Sequence, residues 1–346
     1  MLENIPLAPF TTLGIGGPAR WFAEVQTDQD LMQALDFAHK HQLPTFVLGG
    51  GSNLLVADAG FNGVVLNIKL AGVTYTQLSN RVLLSAAAGE SWDTLVSLAV
   101  ERNLAGIECL AGIPGTVGGT PVQNVGAYGQ EVSESIHRVR AYDTHTREFV
   151  ELTAEQCEFS YRLSRFNSTD SGRFIITQVD YLLSPDVAPR VEYKELREDF
   201  KEASQPPSLA SVASAVREIR NRKGMLLVDG EPDCRSAGSF FKNPIVAREK
   251  FHALAATLGV SVESIPSYPA AAGTVKLSCA WLLDQAGFHR GYRLGRAGIS
   301  SRHTLALINA GGATAAEIIA LRDLIRSTVQ QKFSITLEQE PVMLGF

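Results

Sequence analysis

The chain has 346 residues, 45% of them hydrophobic and 19% charged, with a formal net charge of −5. Disorder is excluded, because it requires low hydrophobicity and high charge, and the length accommodates about two or three domains. No lysine- or arginine-rich run marks a nucleic-acid surface, and no apolar run reaches the ~18–20 residues of a spanning helix. The N-terminal segment MLENIPLAPFTTLGIGG lacks the basic stretch and apolar core of a secretory signal, so a cytoplasmic location is expected. Cys109, Cys157, Cys234 and Cys279 lie far apart, with no C-x-x-C pair. Reduced thiols are expected rather than a zinc site or a disulfide framework. Glycine is abundant, at 30 residues, and clustered at 14–17, 49–51, 112–129, 287–298 and 311–312.

In chain order, residues 20–26 read as a strand. Thr27 and Asp30 have capping-box spacing, and Leu31, Ala34, Leu35 and Ala38 recur at helical spacing. Pro44 ends that helix, and TFVLGG forms a second strand that delivers the chain into GGGSN at 49–53. Such a strand–helix–strand unit is parallel. Strands follow at 54–57, 62–68, 72–76 and 82–87, then a helix at 91–102. The glycine-rich stretch 106–130 has no period; long irregular segments of this kind usually carry function. Residues 136–183 read as strands, including a hairpin, and the polar 184–206 as a crossing between domains. Helices are expected at 208–222, 246–258, 277–286 and 314–331, with a strand at 304–309. The final SITLEQEPVML alternates like a strand, which places Glu338 and Glu340 on one face. Leu337, Val342 and Met343 beside them imply partial burial.

Four motifs carry candidate chemistry. GIGGPA at 14–19 matches a dinucleotide fingerprint, but that fingerprint needs a helix directly after it, and ARWFAEV reads as extended; a glycine turn is the better reading. GGGSN sits at the end of a parallel strand, where successive glycine N–H groups can converge on a phosphate; a plain tight turn is the alternative. YRLSRF at 161–166 exposes Tyr161 and Arg162 after a strand-like stretch. SAGSFFKNP at 236–244 surrounds Ser239 with small residues and two phenylalanines. It is not a nucleophile elbow, since G-x-S-x-G is absent.

Together with IPGTVGG, QNVGAYG, VKLSCAWLLDQAGF, GRAGIS and LEQEP, in this order, these segments resemble the UDP-N-acetylenolpyruvoylglucosamine reductase family. The resemblance runs almost end to end. It implies an α+β chain: an FAD-binding fold of the vanillyl-alcohol-oxidase type with two subdomains, and a C-terminal α/β substrate-binding domain. The implied boundaries are 1–66 for the first FAD subdomain, completed by a C-terminal strand in 333–346, then 67–205 for the second and 206–332 for the substrate domain. FAD would be held by Leu48, Gly49, Gly50, Gly51, Ser52 and Asn53, and by Ile113, Pro114, Gly115, Gly118, Gly119, Gln123, Asn124, Gly126 and Ala127. Ser52 stands where related oxidases with covalent flavin often carry a histidine, so non-covalent FAD is expected.

The implied reaction is NADPH-dependent reduction of the enolpyruvyl ether of UDP-N-acetylglucosamine to UDP-N-acetylmuramate. By motif position Arg162 holds and polarises the substrate carboxylate, Ser239 protonates C2, and Glu340 is the second catalytic residue. The carried-over substrate contacts are Tyr161, Tyr193, Lys223, Asn243, Tyr268 and Gln285, with Lys223 and the tyrosines serving the diphosphate. No nucleic-acid or membrane partner and no metal is implied, and the family precedent favours a monomer. The rival readings are an FAD-dependent sugar or alcohol oxidase on the same fold, and a non-enzymatic nucleotide-sugar binder.

Overall fold

A computed structural model describes residues 1–346. It divides into two compact units, each assembled from separate stretches of chain. One unit comprises Met1–Ile5, Ala19–Gly50 and Asn62–Arg222, and the other Pro6–Pro18, Gly51–Phe61 and Lys223–Phe346.

The first unit holds most of a four-stranded sheet in the order Leu2–Pro6, Pro18–Val25, Phe61–Ile68, Thr45–Leu48. Thr45–Leu48 and Phe61–Ile68 are parallel, with Leu48 opposite Asn67. The helix between them, Asp28–Lys40, starts at the expected capping box: Thr27 Oγ1 accepts from the Asp30 amide, and Asp30 accepts from the Thr27 amide. Its buried Leu31, Ala34 and Ala38 join Val64, Leu66 and Ile68 of the sheet in one core. An antiparallel sheet follows, ordered Glu148–Thr153, Ile136–Asp143, Phe174–Pro185, Arg81–Ala87, Val73–Leu78. Helix Trp92–Glu101 packs into the same core.

The second unit contains a four-stranded antiparallel sheet, Ser236–Ser239, Ala306–Asn309, Ala297–Ile299, Arg293–Leu294. It also has a three-stranded sheet, Ile245–Ala247, Thr274–Leu277, Ser267–Tyr268. Its helices are Arg248–Leu258, Cys279–Ala286 and Ala315–Phe333. Val342–Leu344 pairs in parallel with Leu54–Val56.

Helix Leu209–Arg222 belongs to the first unit, which runs to Arg222. The cause is its apolar stripe: Val212, Ala213, Val216 and Ile219 bury in the core that also holds Trp92 and Leu110, and a helix follows its hydrophobic face. Residues of 1–66 and of 67–205 contribute to that continuous core. The terminal segment is shorter as a strand than its alternation suggests. Helix Ala315–Phe333 takes its first residue, the strand proper is Val342–Leu344, and it lies in the second unit with Leu54–Val56.

The glycines at 14–17 are structural, as the extended residues after them indicated. A Cβ on Gly16 would sit 2.8 Å from the Val56 side chain, and one on Gly17 would overlap the Asp58 carbonyl oxygen. Strand Pro18–Val25 follows, with no helix N-terminus to meet a phosphate. All four cysteines are buried and free. Burial pushes the thiols of Cys109 and Cys157 up to about 12, which leaves both as unreactive hydrophobes. No helix is long and apolar enough to cross a membrane.

Asp143 ends strand Ile136–Asp143 with its side chain 3% exposed, and Arg173 donates to it from Nε at 3.1 Å and Nη2 at 2.7 Å. The Arg173 hydrogen bonds hold this carboxyl at about 2, against the opposing effect of burial. A folded-state value below the unfolded one stabilises above the unfolded pKa, and the stabilisation is lost as pH falls through the folded one. Asp143→Asn should therefore flatten the fall in urea stability between about pH 4 and 2, an effect on the order of 2 kcal/mol. An unchanged acid slope in the variant contradicts this assignment.

Candidate active site

The first unit presents two glycine loops whose backbones touch. Buried Leu48 ends its strand and leads into Gly49 and Gly50. A Cβ on Gly50 would lie 2.5 Å from Gly115 Cα, and one on Gly49 would lie 2.7 Å from Thr116 Oγ1. Any side chain at Gly50 would therefore push the loops apart. Gly118 packs as tightly on Ala88, while the space beside Gly119 is open. A bare glycine loop at the end of a parallel strand, with a second glycine-rich loop packed on it, suits a pyrophosphate, because backbone N–H groups can approach it closely. The residues present thus fit the dinucleotide part of FAD.

Neighbouring side chains fix the second loop. The Gly112 amide donates to Asp93 Oδ1 at 2.6 Å, and the Gly112 carbonyl accepts from Arg220 Nε at 2.9 Å. Arg220 is buried and also bonds Tyr128. Neither Asp93 nor Arg220 was singled out by sequence; the only available signal was charge on an otherwise apolar helix face. Asn124 has φ 44° and is buried. Its Nδ2 donates to Glu131 Oε2 at 2.8 Å and to the Ser160 carbonyl at 3.1 Å, and its Oδ1 accepts from the Ser133 amide. The Asn124 side chain therefore shapes the loop from within. Ile113, Pro114, Gln123, Gly126 and Ala127 are half-buried along the loop, with Ala127 opposite Gln130 in a short pairing.

Tyr161 and Arg162 form the tip of a tight turn closed by Ser160 and Leu163, whose backbones exchange hydrogen bonds at 2.9 and 3.1 Å. Arg162 takes φ 56°, the left-handed conformation that a type II turn demands at its second central position and that glycine fills at least cost. Arg162 Nη2 donates to the Gly126 carbonyl at 2.8 Å, and its guanidinium lies 5.3 Å from the Tyr161 ring centre. Tyr193 begins helix Lys194–Phe200, and its ring meets Tyr128 edge-on at 5.2 Å.

In the second unit Ser239 and Glu340 occupy neighbouring backbone segments. Ser236 pairs with Ile308 and Ser239 with Ala306, so one strand carries an extra residue. Gly238, at φ 75°, takes up that bulge; bulges re-aim the side chains that follow them. Beyond it, Phe241 bridges Gln339, the Glu340 amide donates to the Phe240 carbonyl at 2.9 Å, and the Lys242 amide donates to Glu338. The Glu340 carbonyl accepts from Asn53 Nδ2 at 3.3 Å. The expected partial burial holds for Glu340 and fails for Glu338, whose side chain is 74% exposed near Lys242.

The remaining carried-over residues are less uniform. Asn243 Oδ1 accepts from the Cys279 amide at 2.9 Å, at the start of helix Cys279–Ala286, which leaves Nδ2 as the side chain's donor. Gln285 is exposed on that helix. Tyr268 is 47% exposed, with Lys276 Nζ 5.8 Å from its ring centre. Lys223 is half-buried just past helix Leu209–Arg222. Gly51 has φ 60° and packs on the Phe10 carbonyl, and Ser52 and Asn53 are half-buried.

Comparison with known proteins decides the family. Residues 231–344 match the UDP-N-acetylenolpyruvoylglucosamine reductase C-terminal domain, and residues 19–151 an FAD binding domain. The UDP-N-acetylenolpyruvoylglucosamine reductase of Thermobifida fusca is 43% identical over 99% of this chain and 98% of its own length. The chain belongs to the UDP-N-acetylenolpyruvoylglucosamine reductase family. The Streptomyces coelicolor reductase is also 43% identical, over 99% of this chain and 90% of its own length. The crystal structure of the Thermus caldophilus reductase matches 99% of both chains at 27% identity and TM-score 0.67. The α+β fold with an FAD-binding part and a distinct C-terminal domain is thereby borne out.

The strained turn yields a stability test. A non-glycine residue in the left-handed region costs roughly 1–2 kcal/mol. Arg162→Ala loses the bond to Gly126 and keeps that strain, whereas Arg162→Gly loses the bond and relieves it. Chemical denaturation should find the glycine variant more stable than the alanine variant by about 1 kcal/mol. Equal stabilities would mean that the turn is unstrained.

Proposed function

We propose that this protein reduces the enolpyruvyl ether of UDP-N-acetylglucosamine to UDP-N-acetylmuramate, with FAD as cofactor and NADPH as reductant. One structural observation carries the assignment of roles. The bulged strand and the segment paired with it hold Ser239 and Glu340 in a fixed backbone frame, within a chain that aligns with these reductases along its whole length.

The glycine loops at 49–53 and 112–127 would hold FAD without a covalent bond; when bound, FAD supplies the hydride, taken from NADPH, that reaches C3 of the enolpyruvyl group. Negative charge then develops toward C2 and the carboxylate. Arg162 meets it, since its planar fork matches a carboxylate and fixed donors aimed at developing charge lower the barrier most. The bond to the Gly126 carbonyl holds one end of that fork in place. Ser239 Oγ gives its proton to C2. A hydroxyl is a weak acid, so it acts on the basic enolate and is reprotonated through a relay. Glu340 works in its protonated form or through a hydrogen-bonded water, because a bare carboxylate would repel that of the substrate.

Asn243 presents its Nδ2 to the substrate, and Tyr161, Tyr193, Lys223, Tyr268 and Gln285 serve the nucleotide sugar, with the lysine and tyrosines at the diphosphate. The protein acts in the cytoplasm as a monomer. An oxidase on the same fold leaves Arg162, Ser239 and Glu340 without a shared task, and a simple binder leaves the flavin loops without one.

Ser239→Ala should slow reoxidation of the reduced flavin by the enolpyruvyl sugar by at least ~10²-fold, the lower range of general acid catalysis. Reduction by NADPH should stay nearly unchanged. Stopped-flow absorbance under anaerobic conditions separates the two steps, and equal loss in both would make Ser239 structural. Denaturation followed by filtration should release all of the yellow chromophore; flavin retained on the chain would mean a covalent bond.

A further inference from the structure

The Glu340 backbone is held by more than the strand bridge. Its own N–H goes to Phe240 and its carbonyl to Asn53. The peptides around it are held by its neighbour. Gln339 Nε2 donates to the Pro341 carbonyl at 3.1 Å, folding back over Glu340, and Gln339 Oε1 accepts from Arg322 Nη1 at 3.0 Å. Arg322 lies on helix Ala315–Phe333 with its side chain 16% exposed, and its Nε donates to Asp323 Oδ1 at 2.8 Å. That helix is anchored in the core of the unit by Ile318, Leu321, Ile325 and Val329. Successive residues of an extended segment point to opposite faces, so the Gln339 side chain grips the segment from the side away from the Glu340 carboxyl.

A half-buried guanidinium normally seeks a carboxylate, and Arg322 already has Asp323 for its Nε. Its Nη1 is instead spent on a neutral amide, Gln339. That bond ties the one extended segment carrying Glu340 to the longest helix of the unit. We propose that Arg322 is a positioning residue for Glu340, acting through Gln339. The inference rests on the reading of Glu340 as a catalytic group. Loss of the tie lets the segment shift, and a displacement near ~1 Å at a reacting group can cost about 10²-fold in rate.

The test uses the FAD-loaded full chain and follows both half-reactions anaerobically. Arg322→Met should slow reoxidation by the enolpyruvyl sugar about 10- to 100-fold, while NADPH reduces the flavin at the unaltered rate and FAD content is unchanged. Arg322→Lys, which restores one donor, should recover most of the loss. Gln339→Leu leaves Arg322 bonded to Asp323 and should reproduce the defect, which keeps the test open if Arg322→Met folds poorly. In a Glu340→Gln background, Arg322→Met should add little further loss, because residues that act through one group are not additive. A full multiplicative loss in that background overturns the proposal, as does equal slowing of both half-reactions. If Glu340→Gln alone reoxidises as fast as the unaltered protein, the catalytic reading of Glu340 fails instead, and the single variant identifies that failure by itself.

Discussion

The bridge between Phe241 and Gln339 is the contact that holds Ser239 and Glu340 on neighbouring backbone. Ser239 and Glu340 are separated by about 100 residues of sequence, yet they lie two residues and one residue from this bridge. Backbone hydrogen bonds fix their relative register more tightly than side-chain packing could, since a slip of one residue in an extended pair reverses every side chain. The bulge at Gly238 then adjusts one partner without disturbing the other. Phe240 and Phe241, both fully buried, anchor the strand, so Ser239 and Glu340 sit on paired backbone rather than on a loop tip.

The first unit follows a different principle. Its candidate cofactor loops are defined by what they lack. At Gly50 a side chain would meet the Gly115 backbone and at Gly49 the Thr116 side chain, and the same bareness lets peptide N–H groups face a phosphate. The loop at 112–127 stays in place because groups outside it hold both ends of the Gly112 peptide, while Asn124 pins its middle. Arg162 is strained in backbone and bonded to the same loop at Gly126, which makes it part of that scaffold.

Much of this was legible in the sequence. Helical spacing gave the helix at Asp28–Lys40 with its capping box, the extended residues after Gly17 argued against a dinucleotide fingerprint, and the ordered motifs gave the family. What was not legible is contact between distant residues. The stripe on Leu209–Arg222 announced a helix but not which core it enters. Asp93, Arg220, Arg322 and Gln339 carry no motif, because each acts by holding another residue's backbone. The alternation in SITLEQEPVML suggested one long strand, and the irregular partner at 240–242 reduces it to a bridge and three paired residues.

The central claim is that Arg162, Ser239 and Glu340 serve reduction of an enolpyruvyl sugar by a flavin loaded from NADPH. The most direct measurement is the anaerobic fate of the NADPH-bleached protein when UDP-N-acetylglucosamine enolpyruvate is added. Rapid return of the oxidised flavin spectrum, with UDP-N-acetylmuramate formed in equal amount and only slow reoxidation by oxygen in its place, is the predicted result. A flavin that stays bleached with the sugar and is restored quickly by oxygen would contradict the account.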